Sequence, residues 1–191
     1  MQLDYAQIKK LLKQSTILFD KHTVAKKTQE LAELIDKEIE GEVPIFLSVM
    51  NGGMFFAAEV LKHINNPFIL DYIHASRYGN EKFGASHIAW FRQPKSEDII
   101  NKIVYVFDDI LDEGYTLNEI NRFIINAGAK ECKLVVLIDK DIGKEKPIKA
   151  DYVGLKSPNH FLFGCGMDIY GLYRQLPDIY IHNQDSEEIL K

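Results

Sequence analysis

The chain has 191 residues, of which 46% are hydrophobic and 27% are charged, as in most globular proteins. A chain of this length is expected to form one domain, with at most a small subdomain, and to be stable without disulfides or structural metals. The net charge of −5 and the pI near 5.7 argue against a nucleic-acid partner, because surfaces that bind nucleic acids are usually basic.

Three helices and a strand are predicted in the first third of the chain. Residues 5–13 form a short helix candidate, and residues 24–39 repeat their apolar positions at helical spacing. The segment VPIFLSVM, residues 43–50, is apolar without alternation, which is typical of a strand buried on both faces. A polar NGG follows, and residues 54–64 then return to a helical pattern.

Three apolar runs in the middle of the chain are predicted as strands: FILDYIHASRY (68–78), IVYVF (103–107) and KLVVLI (133–138). Between them lie a polar, glycine-containing loop over 79–98, with room for a hairpin, and a helix over 116–129 closed by Gly128. Beyond about residue 150 the pattern is irregular, with short strands at DYVGL and DIYIH.

This order of elements predicts an α/β fold with a mainly parallel central sheet flanked by helices. Three polar clusters follow predicted strands: NGG at 51–53, DDILDEGYT at 108–116 and DKD at 139–141. Ligands of such sheets bind beyond the carboxyl ends of the strands. Residues from distant parts of the chain are therefore expected to converge there.

The sequence carries no sign of export or of metal binding by histidine. The N-terminal MQLDYAQIKKLLKQ is charged throughout, unlike a signal peptide, and no apolar run approaches the length of a membrane span. We therefore expect a cytoplasmic protein. Cys132 and Cys165 lack CxxC spacing and are predicted to be reduced, buried packing residues. The six histidines are scattered, and none is predicted as a metal ligand.

The stretch VYVFDDILDEGYTLNEI, residues 104–120, crowds acids at the end of a buried strand. Within six positions it contains four carboxylates: Asp108, Asp109, Asp112 and Glu113. Like charges this close repel one another unless cations or hydroxyl groups lie among them. The first two acids suit ribose hydroxyls or a hydrated Mg²⁺ ion.

The second half of the same stretch suits a phosphate group. Gly114 permits a tight turn whose backbone N–H groups can face an anion, and Thr116 can add a hydroxyl donor or cap the following helix. A sugar phosphate therefore satisfies both halves of the turn at once.

Other interpretations of the acidic turn stay open at this point. An exposed strand-to-helix loop is often rich in aspartate, because aspartate caps helices and favours turns. A phospho-acceptor aspartate is compatible with the acids but leaves Gly114 and Thr116 unexplained. A Walker B motif is excluded, because the chain contains no GxxxxGK[ST] sequence.

The whole pattern resembles the ribose-phosphate signature of type I phosphoribosyltransferases: a hydrophobic strand, two acids, two apolar residues, Asp, any residue, Gly, any residue and Thr. Four further segments resemble the hypoxanthine-guanine branch of that family, in the right order. They correspond to its pyrophosphate loop (LSVMNGGMFFAAEVL), the start of its lid (DYIHASRYGN), its base-reading lysine (LVVLIDKD) and its C-terminal hood (DYVGLKSPNHFLFGCGMDIYGLYRQLPDIYI).

The resemblance covers nearly the whole chain from about residue 15. It implies the type I phosphoribosyltransferase fold, in a single domain over 1–191. The core of this domain is expected over about 24–145, and the small hood is expected from about 1–23 and 146–191. Taken singly, NGG, Lys140, Phe161 and Arg174 are also compatible with an ordinary turn, surface or core position. Their joint occurrence in order favours the functional interpretation.

The resemblance implies a role for each matching residue at the ribose end. Asp108 and Asp109 would hold the ribose 2′ and 3′ hydroxyls, and Asp112 would be the acid/base that faces N7 of the purine. Four residues would wrap the 5′-phosphate: Glu113, Gly114, Tyr115 and Thr116.

At the leaving-group end, Asn51 and Gly52 would meet the pyrophosphate, across a peptide that is cis in this family. Arg174 would also reach the pyrophosphate. The implied cofactor is Mg²⁺, with Asp168 beside the metal and Asp108 as a second ligand.

At the base, Lys140 would donate to the purine 6-oxo group, Phe161 would stack on the ring, and the backbone of Leu162 would read the 2-position. Arg77 and Tyr78 would begin a lid. The loop over 77–96 should close over the site to exclude water, and residues 79–95 are expected to be mobile without ligand.

Two residues depart from the pattern of many family members. Glu113 stands where Thr or Ser is common, so its carboxylate is expected to point away while its N–H serves the phosphate. Asn51 stands where Lys is common, which shifts more of the pyrophosphate affinity onto Arg174 and Mg²⁺.

These features predict an enzyme of purine salvage that transfers 5-phosphoribosyl from its pyrophosphate donor to N9 of hypoxanthine or guanine, giving IMP or GMP. It would act on small molecules, away from membranes and nucleic acids, as a homodimer or homotetramer. One rival is a xanthine-preferring relative, because the 2-position is read by backbone atoms. Another is a nucleic-acid-binding regulator that senses the ribose donor, which Lys140, Asp112 and the acidic balance disfavour.

Overall fold

The computed structural model describes residues 4–78 and 87–182. Its helices are α1 (Tyr5–Lys13), α2 (Lys21–Glu38), α3 (Gly53–Leu61), α4 (Ser96–Ile99) and α5 (Tyr115–Asn126). Its strands are β1 (Ser15–Phe19), β2 (Ile45–Met50), β3 (Ile69–Tyr78), β4 (His87–Arg92), β5 (Ile103–Leu111), β6 (Glu131–Lys140), β7 (Tyr152–Ser157), β8 (Leu162–Phe163) and β9 (Ile179–His182).

Six strands form the central sheet, in the order β4-β3-β2-β5-β6-β7. Five of them are parallel, and β4 pairs antiparallel with β3 at one edge. The prediction of an α/β fold with a mainly parallel sheet is therefore confirmed. In the described ranges, no helix is long and apolar enough to cross a membrane.

Both faces of the sheet are covered, which explains the unbroken apolar runs of β2, β5 and β6. On one face α2 and α3 pack over Phe46, Tyr105 and Phe107. On the other face α5 packs its apolar side over residues such as Val106 and Val136. Each fully buried side chain of this kind contributes about 1.5–3 kcal/mol relative to an exposed one.

Helix boundaries follow the local sequence closely. Asp4 forms a capping box with Gln7 at the start of α1, and Asp20 accepts the Thr23 N–H at the start of α2. Gly128, with a φ of 95°, follows the end of α5 as predicted.

The predicted loop over 79–98 contains a hairpin strand. Residues 87–92 form β4, which returns antiparallel along β3, and a short helix, α4, follows it. Of the lid expected to be mobile over 79–95, residues 79–86 lie outside the described residues, whereas residues 87–92 form β4 and are paired with β3.

A second, smaller sheet has the order β1-β9-β8 and is antiparallel. It joins β1, which the sequence pattern did not predict, to β9, which corresponds to the predicted DIYIH strand. The other late strand, DYVGL, becomes β7 and pairs with β6 in the central sheet, although its residues fall in the segment expected to build the hood.

Candidate active site

A cavity of about 450 Å³ lies at the carboxyl ends of β2, β5 and β6, beneath residues that lead into and out of the smaller sheet. Its lining includes fourteen of the sequence-predicted site residues: Asn51, Gly52, Asp108, Asp109, Asp112, Glu113, Gly114, Tyr115, Thr116, Lys140, Phe161, Leu162, Asp168 and Arg174. The backbones of Arg77 and Tyr78 end β3, but their side chains lie outside the described part of the structure.

Asp108 and Asp109 are the two most buried acids of the cavity. They lie on β5, which runs on to Leu111, and not in a turn after Phe107 as the sequence pattern suggested. Asp108 is 9% and Asp109 is 7% exposed. Burial, with the charge of its neighbour, raises the pKa of Asp108 well above its usual range, and burial raises the pKa of Asp109 to about 6.

Two carboxylates buried side by side repel each other, and this repulsion indicates which ligands the site can bind. The backbone N–H of Asp109 donates to Asp108 Oδ1 at 3.0 Å, which orients the Asp108 carboxylate. Buried carboxylates are stabilised by cations or by hydroxyl donors. This end of the cavity therefore suits a polyhydroxylated sugar, a metal ion or both.

The turn after β2 lies directly against the acidic pair. The peptide between Met50 and Asn51 is cis. A methyl group on Gly52 would overlap the Asp109 carboxylate, and one on Gly166 would overlap the Gly52 carbonyl oxygen. The contact at Gly166 is with backbone, so the turn after β2 and the segment between β8 and β9 approach each other too closely there for any residue but glycine.

Arg174 places a positive charge beside the contact between Gly52 and Gly166. Its guanidinium lies 2.5 Å from Asp168 Oδ1 and donates to the Gly166 carbonyl at 2.6 Å. The other Asp168 oxygen accepts the Gly171 N–H at 2.6 Å. The charge of Arg174 also acts on Asp108 and Asp109, opposing the rise of their pKa values through burial.

Residues 112–114 join β5 to α5, whose first two residues are Tyr115 and Thr116. Gly114 has a φ of 85°, a conformation that favours glycine, and α5 begins at the next residue. The first N–H groups of a helix have no acceptor within the helix and favour anions. The Glu113 carboxylate pairs with Lys144 at 3.1 Å.

On the wall of the same cavity, Lys140 Nζ lies 3.1 Å from Asp112 Oδ2. The Lys140 side chain is 13% exposed and that of Asp112 is 48% exposed. Phe161 and the buried Leu162 also line this cavity. An ammonium donor, a carboxylate and an aromatic ring thus surround a space that suits a flat, polar heterocycle.

The sequence pattern missed three residues of this region. Gly166 contributes to the glycine contact, Met167 lines the cavity, and Lys146 holds the strand ends behind it. The GCG triplet at 164–166 is a signal for Gly166, because paired glycines mark close approaches. No local pattern marks Met167 or Lys146.

Both cysteines are free thiols, as predicted, but each is half-buried, whereas the sequence predicted buried residues. Burial raises the pKa of each thiol, Cys132 and Cys165, to about 12, so neither is a thiolate at neutral pH.

The carboxylates fit a magnesium ion that arrives with a phosphorylated substrate. Among the residues that the structure describes, no group of three or more His, Cys, Asp or Glu side chains could hold a metal alone. Mg²⁺ is usually bound by one or two carboxylates together with substrate phosphates and water. Asp108 and Asp168 line the same cavity and can supply those carboxylates.

The chain is similar to known proteins over most of its length. A family model described as "Phosphoribosyl transferase domain" matches residues 14–169. The hypoxanthine-guanine phosphoribosyltransferase of Bacillus subtilis (strain 168) is 30% identical over 163 residues, which cover 85% of this chain and 90% of that protein. The protein of the same name from Streptococcus thermophilus (strain CNRZ 1066) is 30% identical over 88% of this chain and 93% of its own length.

The chain is also similar to solved structures of phosphoribosyltransferases. A hypoxanthine-guanine phosphoribosyltransferase from Bacillus anthracis, with HEPES in its active site, has a TM-score of 0.78 and 33% identity over 87% of this chain and 97% of its own. A hypoxanthine phosphoribosyltransferase from Staphylococcus aureus has a TM-score of 0.79 and 25% identity over 95% of this chain and 97% of its own.

Proposed function

Because this chain belongs to the phosphoribosyltransferase family, we propose that it transfers 5-phosphoribosyl from phosphoribosyl pyrophosphate to N9 of a 6-oxopurine. With hypoxanthine or guanine, the products are IMP or GMP and pyrophosphate, a reaction of purine salvage. The observation that carries the proposal is the meeting of an acidic pair, the start of α5 and the Lys140–Asp112 pair in one cavity.

The proposed ribose site is the acidic pair. Asp108 and Asp109 accept hydrogen bonds from the ribose hydroxyls, and residues 112–116 bind the 5′-phosphate through backbone N–H groups and a hydroxyl. Support comes from the burial of the two acids and from the start of α5 directly after Gly114. Holding the sugar at both ends would fix C1′ between the base and the leaving group.

The proposed leaving-group site combines the Asn51–Gly52 turn with Arg174. The bond from C1′ to pyrophosphate breaks while positive charge builds on the sugar, so groups that stabilise the departing anion lower the barrier. We propose that Asp108 and Asp168 hold Mg²⁺ here together with substrate oxygens. When bound, the metal would neutralise part of the charge on the leaving group.

The proposed base site lies around Lys140, Asp112 and Phe161. Lys140 donates to the 6-oxo group, Phe161 stacks on the ring, and the Leu162 backbone reads the 2-position. Asp112 accepts or shares the N7 proton as N9 forms its bond to C1′. The 3.1 Å contact between Lys140 and Asp112 supports these roles, because O6 and N7 are neighbours on one edge of a purine.

We further propose that a lid starts at Arg77 and Tyr78 and covers the site during reaction, since water at C1′ would hydrolyse the donor. The chain is proposed to act in the cytoplasm, as one domain in which core and hood share the site.

Self-association as a homodimer or homotetramer is proposed on the basis of an exposed apolar face. Leu70, Tyr72 and Phe91 expose large side chains on β3 and β4. Arg92 stacks on the Tyr72 ring at 3.9 Å and pairs with Asp71 at 2.7 Å, so the face carries both charges and suits a second copy of itself. Light scattering of the unmutated protein and of Leu70→Ser with Phe91→Ser tests this assignment.

One assay tests the function directly. Purified protein is incubated with phosphoribosyl pyrophosphate, Mg²⁺ and hypoxanthine, guanine, xanthine or adenine in turn, and nucleotide and pyrophosphate are both quantified. We expect stoichiometric products with hypoxanthine and guanine. Exclusive use of xanthine would assign the xanthine-preferring alternative, and failure with every base would refute the proposal. Binding to RNA or DNA in a mobility-shift assay at physiological salt would instead support a regulator.

A further inference from the structure

Lys146 is an almost buried lysine outside the cavity lining. It lies between β6 and β7, in a segment where most side chains are exposed, yet its own side chain is only 11% exposed. Its ammonium donates to the backbone carbonyl of Leu111 at 2.6 Å and lies 2.7 Å from Asp139 Oδ1. Charged groups are rarely buried without partners, and these two acceptors explain its position.

The two acceptors sit side by side on neighbouring strands. Leu111 and Asp139 are register partners at the carboxyl ends of β5 and β6, and theirs is the last pair of that ladder. Beyond this pair β5 and β6 are no longer hydrogen-bonded to each other, while β6 continues to pair with β7 through Lys140. The ammonium of Lys146 therefore ties the two strand ends together where the ladder stops.

The residues that follow these two acceptors are Asp112 and Lys140. Their side chains meet at 3.1 Å and form part of the proposed base site. A shift between the ends of β5 and β6 would change this separation directly. A misplacement of 1 Å in an active site can cost about 10²-fold in rate, even when its origin lies away from the chemistry.

We propose that Lys146 is a positioning residue for base recognition, which sets the distance between Lys140 and Asp112 without touching a substrate. This inference rests on the function proposed above, because it assigns these two residues to the purine. It predicts a defect in use of the base, and because the loop that is proposed to bind the 5′-phosphate follows Leu111 directly, use of the ribose donor is expected to weaken as well.

The kinetic test replaces Lys146 by Met, which keeps the aliphatic stem and removes the charge. We expect kcat/KM for hypoxanthine to fall by about 10-fold to 10²-fold. Lys146→Arg, which keeps a cationic donor, should recover most of the loss. Lys149→Met is the matched control, because Lys149 lies in the same segment with an exposed side chain.

Several outcomes would overturn the inference. One is an activity of Lys146→Met within about 2-fold of the unmutated enzyme, and another is an equal loss in Lys149→Met. A loss in Lys146→Arg as deep as in Lys146→Met would assign the effect to packing instead of charge. If Lys146→Met does not fold, the double variant Asp139→Asn with Lys146→Met removes the unpaired charge and should fold, while the kinetic defect persists; normal kinetics in that variant would also refute positioning.

A crystal structure of Lys146→Met separates this inference from the function itself. We expect the Lys140–Asp112 separation to lengthen by about 1 Å or more, the scale of misplacement that costs rate. An unchanged separation would refute the positioning role even if activity fell. If the unmutated protein used no purine at all, the proposed function would fail, and the measured separation would still decide whether Lys146 holds the strand ends.

Discussion

The Lys140 ammonium lies 3.1 Å from the Asp112 carboxylate, although 28 positions separate the two residues in the sequence. The ends of two neighbouring parallel strands bring them together. A donor and an acceptor at this spacing complement a 6-oxopurine, whose O6 accepts a hydrogen bond and whose protonated N7 donates one. An incoming base would thus exchange an ion pair within the protein for two hydrogen bonds to itself.

Replacing Asp112 by Asn should lower kcat by about 10² to 10⁴-fold, the usual contribution of a positioned acid/base. The amide keeps the size of the side chain but cannot take the N7 proton. Binding of phosphoribosyl pyrophosphate, measured by calorimetry, should change little. Normal turnover by the variant would show that Asp112 is not the proton acceptor.

Adenine should be refused by the unmutated enzyme. Its exocyclic amino group is a donor, and it would face the Lys140 ammonium, which has three donors and no acceptor. A site that hydrogen-bonds one substrate group can discriminate by roughly 10⁴ to 10⁵ in kcat/KM against an analogue that leaves the site group unpaired. Because solvent reaches this site, we expect a smaller ratio, of at least about 10³. Lys140→Ala should impair the reaction with oxopurines and reduce the difference in kcat/KM between oxopurines and adenine. Efficient use of adenine would exclude the role given to Lys140.

Asp109→Asn should stabilise the ligand-free protein at neutral pH. The folded-state pKa of Asp109 is about 6, above the ordinary value of 3.8, because the carboxyl is buried. The folded state therefore binds the proton more tightly than the unfolded chain. Its contribution to stability is fully present below pH 3.8 and is lost as pH rises through about 6.

At pH 7.5, Asp109→Asn should raise the free energy of unfolding by on the order of 2 kcal/mol. Each kcal/mol corresponds to roughly 2–4 °C in Tm. The increase should vanish near pH 4. Thermal unfolding measured across this range tests the prediction. Asp36→Asn is a control of opposite sign, because hydrogen bonds from the amides of Asn66 and Asn65 lower the pKa of Asp36 to about 2. That variant should be destabilised at neutral pH. An Asp109→Asn protein less stable than the unmutated one at pH 7.5 would contradict the burial argument.

Gly166→Ala should destabilise the fold far more than Gly143→Ala. Both glycines have positive φ, 103° and 69° respectively, but an added methyl at Gly143 meets nothing within 4 Å. At Gly166 the methyl would overlap the Gly52 carbonyl oxygen. We expect a loss of about 1 kcal/mol for Gly143→Ala, from backbone strain alone, and roughly 3 kcal/mol or more for Gly166→Ala. Urea unfolding measures both, and equal losses would exclude the close approach as the cause.

The elements of the central sheet could be predicted because their signals are local. The apolar runs of β2, β5 and β6 and the helical spacing of α2 and α5 each lie within a short window. The end of β5 could not be predicted in this way. Asp108 and Asp109 are unfavourable in an isolated strand, yet pairing with β6 carries the strand on to Leu111.

The smaller sheet and the strand ends behind the site depend on contacts between distant residues. β1 is a half-exposed strand of five residues whose partner is β9, so no periodicity marks it. The motifs indicated which residues meet in the cavity, because parallel strands end at one edge. The hydrogen bond from Lys146 to the Leu111 carbonyl could not be predicted, because it depends on the path of the polar segment between β6 and β7.

The pairing of β1 with β9 has a consequence for synthesis of the chain on the ribosome. β1 emerges early, but β9 follows about 160 residues later. At a synthesis rate of roughly 5–20 residues per second, about 8 to 30 s pass between the synthesis of β1 and that of β9, its pairing partner. During that interval the central sheet can form while the edge of β1 stays open to other chains. Translation speed over the last third of the message is therefore expected to influence the yield of active protein more than speed over the first third.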